Sequence, residues 1–321
     1  MKKKISILIS IFLVLSLMAA CGNGGDSGDE GNAGGGEQTL VVHHWGDPLT
    51  FNPDTTGDDY NYVPAQNIFN RMVKLNFDAQ IVPDLAQSWD VSEDGKTITF
   101  HLVEGAVWHD GEPFTSADVE YTFETLAQDE SLVAHGFFTE ITDVECPDDN
   151  TAVFKLSTPN TALIGYMGWY GSFVMPKHLF DNGQPWADNP ASLEPIGTGP
   201  FMFEKFEAGS AIELVKNPDY WGGEPGVDRL VFKIIPDEST AAQALKTGEI
   251  DFMEITPYNE VPSLESEGFQ STLQTFPSPM YLVFNFRDGY ETPLAVRQAL
   301  ALCVDREDIN NKVFGGSRLP E

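Results

Sequence analysis

The first 20 residues determine where this chain folds. Three lysines at positions 2–4 precede an uncharged apolar run from Ile5 to Met18, and Ala19 and Ala20 follow. A charged start, a short apolar stretch and small residues form the pattern of a secretory signal peptide, since the run is too short to span a bilayer comfortably. Residues 1–20 are therefore predicted to direct export, so that the rest of the chain folds outside the cytoplasm.

The segment LMAAC, residues 17–21, resembles a bacterial lipobox, in which the cysteine receives a lipid and becomes the mature N-terminus. Met18 stands where leucine is most usual, and ordinary cleavage beside a free cysteine is the alternative. Residues 21–38 continue as GNGGDSGDEGNAGGGEQ after Cys21, without a large apolar side chain, which is typical of a flexible coil. We predict lipidation at Cys21 and a tether that holds a globular domain on the outer face of the cytoplasmic membrane, in the periplasmic space or at the cell surface.

The charge of the chain excludes two classes of partner. Asp and Glu number 49 against 18 Lys and Arg, which gives a net charge of −31. Removing residues 1–20 takes away lysines and no acids, so the mature protein is more acidic still. Because such a surface repels nucleic acid and anionic lipid, we expect neither as a partner, apart from the membrane contact through the lipid.

The sequence contains no recognisable catalytic or metal-binding motif. HExxH, GxSxG, P-loop and CxxC patterns are all missing. His43 and His44 are neighbours on a predicted strand, so their side chains point to opposite faces and share a metal poorly. The turn WHDG at 108–111 is interpreted as structural rather than as a catalytic His–Asp pair. We predict no catalytic residue, no metal site, no cofactor and no enzymatic activity. Cys146 and Cys303 make no disulfide framework, and we expect both to be buried and unpaired.

Apolar periodicity predicts a mixture of strands and helices. A strand at 39–43 is followed by a helix at 63–75, in which Ile68, Met72 and Leu75 have helical spacing. Asp94 and Gly95 supply the turn of a hairpin. Thr115 caps a helix with Asp118 at its third position. Further elements are predicted as strands at 152–156, 201–206, 212–216, 230–235, 250–253 and 281–286, and as helices at 239–247, from 292 and from 305. The mixture indicates an α/β or α+β fold of more than one lobe.

Several segments carry a family resemblance. Residues 83–126, PDLAQSWDVSEDGKTITFHLVEGAVWHDGEPFTSADVEYTFETL, are similar to the signature region of the family 5 extracellular solute-binding proteins of ABC importers, a group that includes oligopeptide-, dipeptide- and nickel-binding proteins. Further matches follow in the same order: PIGTGPF at 195–201, NPDYW at 217–221, ALKTGEIDF at 244–252 and TPLAVRQALALCVDRE at 292–307. Together with the lipobox, they cover nearly the whole mature chain.

The resemblance implies a two-lobed fold like that of periplasmic binding proteins. Lobe I is expected at 39–70 and 185–277, with an additional subdomain inserted at 71–184. Lobe II is expected to begin at 278 and to be incomplete at 321, since family members continue well beyond the matching position. A solute is expected to bind in the cleft between the lobes, which close around it by a hinge motion.

The resemblance also indicates where a ligand would bind. The loop after the first strand is expected to face the cleft, which makes Trp45, Gly46 and Asp47 candidate ligand residues. Tyr281 and Asn285, at the crossing into lobe II, are further candidates. Each has a structural alternative, because Trp45 is also suited to a core and Asp47 before Pro48 to a turn. Residues 197–199 are interpreted as backbone architecture close to the cleft.

The leading hypothesis is a monomeric, lipid-anchored binding protein that captures di- or oligopeptides and delivers them to the transmembrane subunits of an ABC permease. A second hypothesis keeps the importer role with another small solute, such as a nickel chelate, an oligosaccharide or an opine-like compound. A third, from a different class, is a surface-tethered hydrolase or adhesin, for which catalytic groups or repeats would be the distinguishing feature.

Overall fold

Two four-stranded sheets and a small hairpin organise the computed structural model, which describes residues 37–169, 171–254, 261–272, 283–287, 289 and 292–316. The strands in this part of the chain are β1 Thr39–His44, β2 Val73–Leu75, β3 Ile81–Pro83, β4 Ala86–Val91, β5 Thr97–Leu102, β6 Ile141–Asp148, β7 Thr151–Leu156, β8 Phe201–Glu207, β9 Ala211–Lys216 and β10 Arg229–Ile234. The helices are α1 Asp59–Ile68, α2 Ser116–Gln128, α3 His135–Phe138, α4 Leu163–Tyr166, α5 Lys177–Phe180, α6 Glu238–Thr247, α7 Val261–Ser266, α8 Leu294–Cys303 and α9 Arg306–Val313.

The first sheet has the strand order β1-β10-β9-β8. Its parallel pair, β1 and β10, runs in register from Thr39 opposite Arg229 to His44 opposite Ile234. The other strands are antiparallel, and Phe252 adds a parallel bridge to Val42 on the outer side of β1. Because parallel strands end at the same edge, the chain leaves β1 and β10 side by side, and this edge positions the candidate site.

The second sheet, β4-β5-β7-β6, is antiparallel and packs against α2. Its core is aromatic: the ring centroids of Phe100 and Phe123 each lie 5.2 Å from that of Phe154. The predicted capping of α2 is confirmed, since the Thr115 N–H donates to Asp118 Oδ2 at 3.0 Å. The predicted hairpin with its turn at Asp94–Gly95 is also confirmed, as β4 and β5.

The helix predicted at 63–75 is wrong in its limits, because α1 ends at Ile68. Two hydrogen bonds to Asp84 draw the chain out of the helix: Asn70 Nδ2 donates to Oδ1 and the Arg71 N–H to Oδ2, both at 2.9 Å. Val73–Leu75 then forms β2, which pairs with β3. Tertiary hydrogen bonds here override the helical spacing of the apolar residues.

Two further expectations differ from the structure. The strand predicted at 281–286 is not formed by the described residues 283–286, and Tyr281 lies outside the described residues. Cys146 and Cys303 are unpaired as predicted, but the predicted burial is wrong, because Cys146 is half-buried and Cys303 is exposed. Cys303 is exposed because it lies on α8, none of whose side chains is buried among the described residues.

No helix in the described ranges is both long and apolar enough to cross a membrane.

Candidate functional site

The structure places Trp45, Gly46 and Asp47 at the carboxyl ends of β1 and β10. The Trp45 ring is half-buried, with its centroid 5.7 Å from those of both His43 and His44. Gly46 lies beneath the exposed ring of Tyr60, since a Cβ at this position would be 3.3 Å from Tyr60 Cε1. The three residues therefore form one surface with Tyr60 from α1.

Asp47 has a structural partner in the described part of the chain. Its carboxylate is exposed, and its Oδ1 accepts a hydrogen bond of 2.8 Å from the N–H of Gly209, in the turn between β8 and β9. This bond ties the loop after β1 to the neighbouring hairpin. Ligand contact by Asp47 remains a prediction.

The two histidines at the end of β1 are anchored to the backbone. His43 Nε2 donates to the carbonyl oxygen of Ile235 at 2.8 Å, and His44 Nε2 donates to that of Tyr60 at 2.9 Å. Burial is the main cause that lowers the pKa of His44, which favours the neutral ring. Within the described residues, no group of three His, Cys, Asp or Glu side chains is arranged to hold a metal ion.

Glu254 is a candidate that the sequence reasoning missed. It follows Phe252, whose bridge to Val42 extends the sheet beyond β1, so that Glu254 emerges at the same edge as Trp45. Loss of water around the carboxyl raises the pKa of Glu254, and the negative charges of Asp59 and Glu238 raise it further. The strand predicted at 250–253 is reduced to the single parallel bridge from Phe252 to Val42, which still brings the chain out at the carboxyl end of β1.

Residues 197–199 form a tight backbone junction against the end of α1. The Gly199 N–H donates to the Ile68 carbonyl oxygen at 2.8 Å, and a Cβ at Gly197 would lie only 1.8 Å from that oxygen. Thr198 Oγ1 donates to Asn70 Oδ1 at 3.0 Å. Only glycine fits at such a close approach, so positions 197 and 199 have a structural role at the end of α1.

His109 clamps this junction from the side. Its Nε2 donates to the Gly199 carbonyl oxygen at 3.0 Å, while its Nδ1 accepts from the Gly197 N–H at 3.2 Å. Burial lowers the pKa of His109 to about 4. Asp110 pairs instead with His178, at 2.8 Å. These contacts give the turn at 108–111 a structural role.

Asn285, a candidate at the expected crossing into lobe II, is not joined to this surface by any hydrogen bond among the described residues, and Tyr281 lies outside them. Asn285 is exposed, and its Oδ1 accepts from the Arg287 N–H at 3.0 Å in a local turn. Ligand contact by Asn285, and by Tyr281, remains a prediction.

Two surface grooves lie away from the carboxyl ends of β1 and β10. One, of about 620 Å³, runs along α2 and is lined mainly by carboxylates, including Glu120 and Glu124. The other, of about 480 Å³, lies between Lys74 and the aromatic pair Tyr220 and Trp221. Neither includes a candidate ligand residue.

Comparison with known proteins places the chain in a family. Residues 80–321 match the family model for bacterial extracellular solute-binding proteins, family 5, middle region. The dipeptide-binding protein of Escherichia coli (strain K12) is 31% identical over 307 residues, with 87% of this chain and 56% of the relative covered. Di/tripeptide-binding protein 1 of Pseudomonas aeruginosa is 30% identical over 312 residues, with the same coverage.

The fold is shared with a solved member. The crystal structure of NikZ from Campylobacter jejuni in complex with Ni(L-His) matches with a TM-score of 0.73 and 25% identity, covering 86% of this chain and 55% of NikZ. The chain spans about half the length of the curated relatives that it matches. On the matched region, this protein belongs to the family 5 bacterial extracellular solute-binding proteins.

Proposed function

We propose that this chain belongs to the extracytoplasmic binding component of an ABC importer and captures di- or oligopeptides. The observation that carries the proposal is the similarity to two peptide-binding proteins over most of the chain. In the family a binding protein captures its solute without chemical change, and the protein is proposed to have no enzymatic activity. Closure around a solute requires contacts that are better in the closed state than in the open one.

The surface formed by Trp45, Gly46, Asp47 and Tyr60 is proposed as the lobe I side of the cleft. Its position at the carboxyl edge of β1 and β10 supports this, since ligands of open α/β sheets bind outside that edge. An extended peptide would lie against exposed backbone here, with Trp45 supplying an apolar wall. The proposed domain limits are 39–70 and 185–277 for lobe I, 71–184 for the inserted subdomain, and 278 onward for the beginning of lobe II.

The proposal includes a tether. Cys21 is proposed to carry the lipid, with residues 21–38 as a spacer that holds a monomer near its permease on the outer side of the membrane. Exchanging Cys21 for serine should release the protein from membranes, whereas retention of the Cys21→Ser protein on membranes would contradict the anchor.

A thermal shift experiment tests the ligand class. The protein is heated with mixed di- to hexapeptides, with nickel–histidine, or with oligosaccharides. A ligand at about 100 times its dissociation constant stabilises the folded state by roughly 2.7 kcal/mol, which gives a measurable rise in Tm. We expect the peptides alone to raise Tm, and Trp45→Ala to lower the peptide affinity at least tenfold.

Nickel chelate is the second candidate, because NikZ, which shares the fold, was solved with Ni(L-His). A rise in Tm with nickel–histidine and not with peptides would make the nickel chelate the proposed ligand, and the proposed importer role would be unchanged. If no solute of the panel changes Tm, the peptide proposal is wrong and a tethered hydrolase or adhesin becomes the hypothesis to test.

A further inference from the structure

Asp54 is a fully buried carboxyl group in the loop between β1 and α1, with one oxygen unsatisfied. Its Oδ1 accepts from the Phe173 N–H at 3.2 Å, but no donor among the described residues reaches Oδ2. Asn61, also fully buried, has an Oδ1 that likewise lacks a donor in the described part of the chain. Both residues are tied to Asn52: the Asp54 N–H donates to Asn52 Oδ1 at 3.0 Å, and Asn61 Nδ2 donates to the Asn52 carbonyl oxygen at 3.1 Å.

Two other buried aspartates, Asp84 and Asp118, have a donor on each carboxyl oxygen. Asp84 accepts one N–H on each oxygen, from Asn70 Nδ2 and from the backbone of Arg71, both at 2.9 Å. Asp118 likewise has a backbone N–H on each oxygen, at 2.9 Å on Oδ1 and 3.0 Å on Oδ2. A carboxylate is acceptor-only and its burial is costly unless donors surround it. Asp54 accepts from one donor, at 3.2 Å, and so receives fewer and longer hydrogen bonds than Asp84 or Asp118.

Arg71, which precedes β2 and forms a β-bridge with Phe173, is the charged group that acts on Asp54. The Arg71 guanidinium lies over the Phe173 ring, 3.8 Å from its centroid, and donates to the Tyr62 hydroxyl at 2.6 Å. The loop between α2 and α3 also contacts Asp54, because the Val133 N–H donates to the Asp54 carbonyl oxygen at 3.0 Å. Burial raises the pKa of Asp54 to about 7, against the opposing influence of the Phe173 N–H and the Arg71 charge.

We propose that Asp54 is a neutral carboxylic acid in the folded protein and that its Oδ2–H is donated to Asn61 Oδ1, locking the loop between β1 and α1. In this arrangement the hydroxyl of the neutral Asp54 has an acceptor, and Asn61 Oδ1 has a donor. Ionisation removes the bond and sets a buried charge beside an amide oxygen, which loosens the loop that begins at Trp45. The loop is therefore sensitive to pH in the neutral range.

The matched substitutions Asp54→Asn and Asp84→Asn test the proposal. Asn at 54 imitates the neutral acid, because its oxygen accepts from Phe173 and its NH₂ donates to Asn61. The unfolded carboxyl loses its proton near pH 4 and the folded one near 7, so the wild type loses stability relative to Asp54→Asn as the pH rises through this window. The measured quantity is the Tm of Asp54→Asn minus the Tm of the wild type. We expect this difference to be larger at pH 8 than at pH 5 by about 5 °C or more.

The same exchange at Asp84 should lower Tm at both pH values, since its NH₂ would face the N–H of Arg71 or the Nδ2 of Asn70. A Tm difference between wild type and Asp54→Asn that does not change with pH would overturn the proposal. So would a loss of Tm in Asp54→Asn as large as that in Asp84→Asn.

Infrared spectroscopy supplies a readout that does not depend on the folding of Asp54→Asn. The carbonyl stretch of a protonated carboxylic acid is separate from that of a carboxylate, and in the wild type it should disappear with a midpoint near pH 7. Asn61→Ala should shift the band to higher frequency, because the acid loses its acceptor. No band at pH 5.5 would overturn the protonated state, and a band unchanged by Asn61→Ala would overturn the bond to Asn61.

Discussion

His109 Nε2 donates a hydrogen bond to the Gly199 carbonyl oxygen at 3.0 Å, which joins two segments 90 residues apart. Through this contact, a turn that precedes α2 in the proposed inserted subdomain holds the glycine junction behind the candidate cleft edge. The stability of the junction therefore depends on the protonation of one imidazole.

His109→Ala should destabilise the fold by about 2–3 kcal/mol, because the Gly197 N–H and the Gly199 carbonyl lose their partner. The folded pKa of about 4 lies below the ordinary value of 6.5, so the wild type should lose stability as the pH falls from 6.5 to 4, by up to about 3 kcal/mol. Urea unfolding at several pH values measures both effects. If His109→Ala loses stability in this window as steeply as the wild type, His109 is not the group responsible.

Gly197→Ala should prevent correct packing of the junction. Its Cβ would lie 1.8 Å from the Ile68 carbonyl oxygen, a distance that no rotamer can relieve. We expect a loss of more than about 3 kcal/mol, or no folded protein, since backbone must move. Gly226→Ala is the control, because a Cβ there meets no atom within 4 Å and should change stability by less than about 0.5 kcal/mol. Equal unfolding midpoints for the two variants would contradict the close approach.

Asp118→Ala should cost about 2–4 kcal/mol. The buried carboxylate accepts from the N–H groups of Thr115 and Lys177, so its removal leaves the start of α2 and that of α5 without an acceptor. Asp143→Ala, at an exposed position on β6, serves as the matched control. Circular dichroism during thermal unfolding measures the difference, and a variant as stable as the control would show that the cap contributes little.

The two functions assigned to Asp47 can be separated. Asp47→Asn keeps an oxygen for the Gly209 N–H and should leave stability within about 0.5 kcal/mol of wild type, whereas Asp47→Ala loses that bond as well. If the charge meets a cationic group of the ligand, both variants should bind peptide about tenfold more weakly. Calorimetric titration measures the affinity. Unchanged binding by Asp47→Asn would limit Asp47 to its structural contact.

Local signals predicted part of this fold well. The capped start of α2 and the hairpin turn at Asp94–Gly95 were predictable because each depends on residues close in sequence. The helix limit at Ile68 was not, since it is set by Asp84 through Asn70 and Arg71. Periodicity alone does not reveal a hydrogen bond across a hairpin that has not yet been recognised.

The candidate site was predictable to a similar degree. The family resemblance and the end of the first strand indicated Trp45 to Asp47, and the structure places them at the sheet edge. Tyr60 and Glu254 were missed, because their approach to that edge depends on where α1 begins and on the bridge of Phe252 to β1. The tie between Asp47 and Gly209 joins residues 162 positions apart, for which a single sequence gives no signal.

The parallel pairing of β1 with β10 has a kinetic consequence. Gln38 and Asp228, at the start of the two strands, are hydrogen-bonded across 190 residues. The strand that leads to Trp45 emerges early from synthesis, yet it cannot acquire its neighbour until β10 has followed. The entropy of closing a chain segment of this length is lost before the strand pairing contributes any stabilisation. The sheet edge that carries the candidate residues is therefore expected to form late in folding.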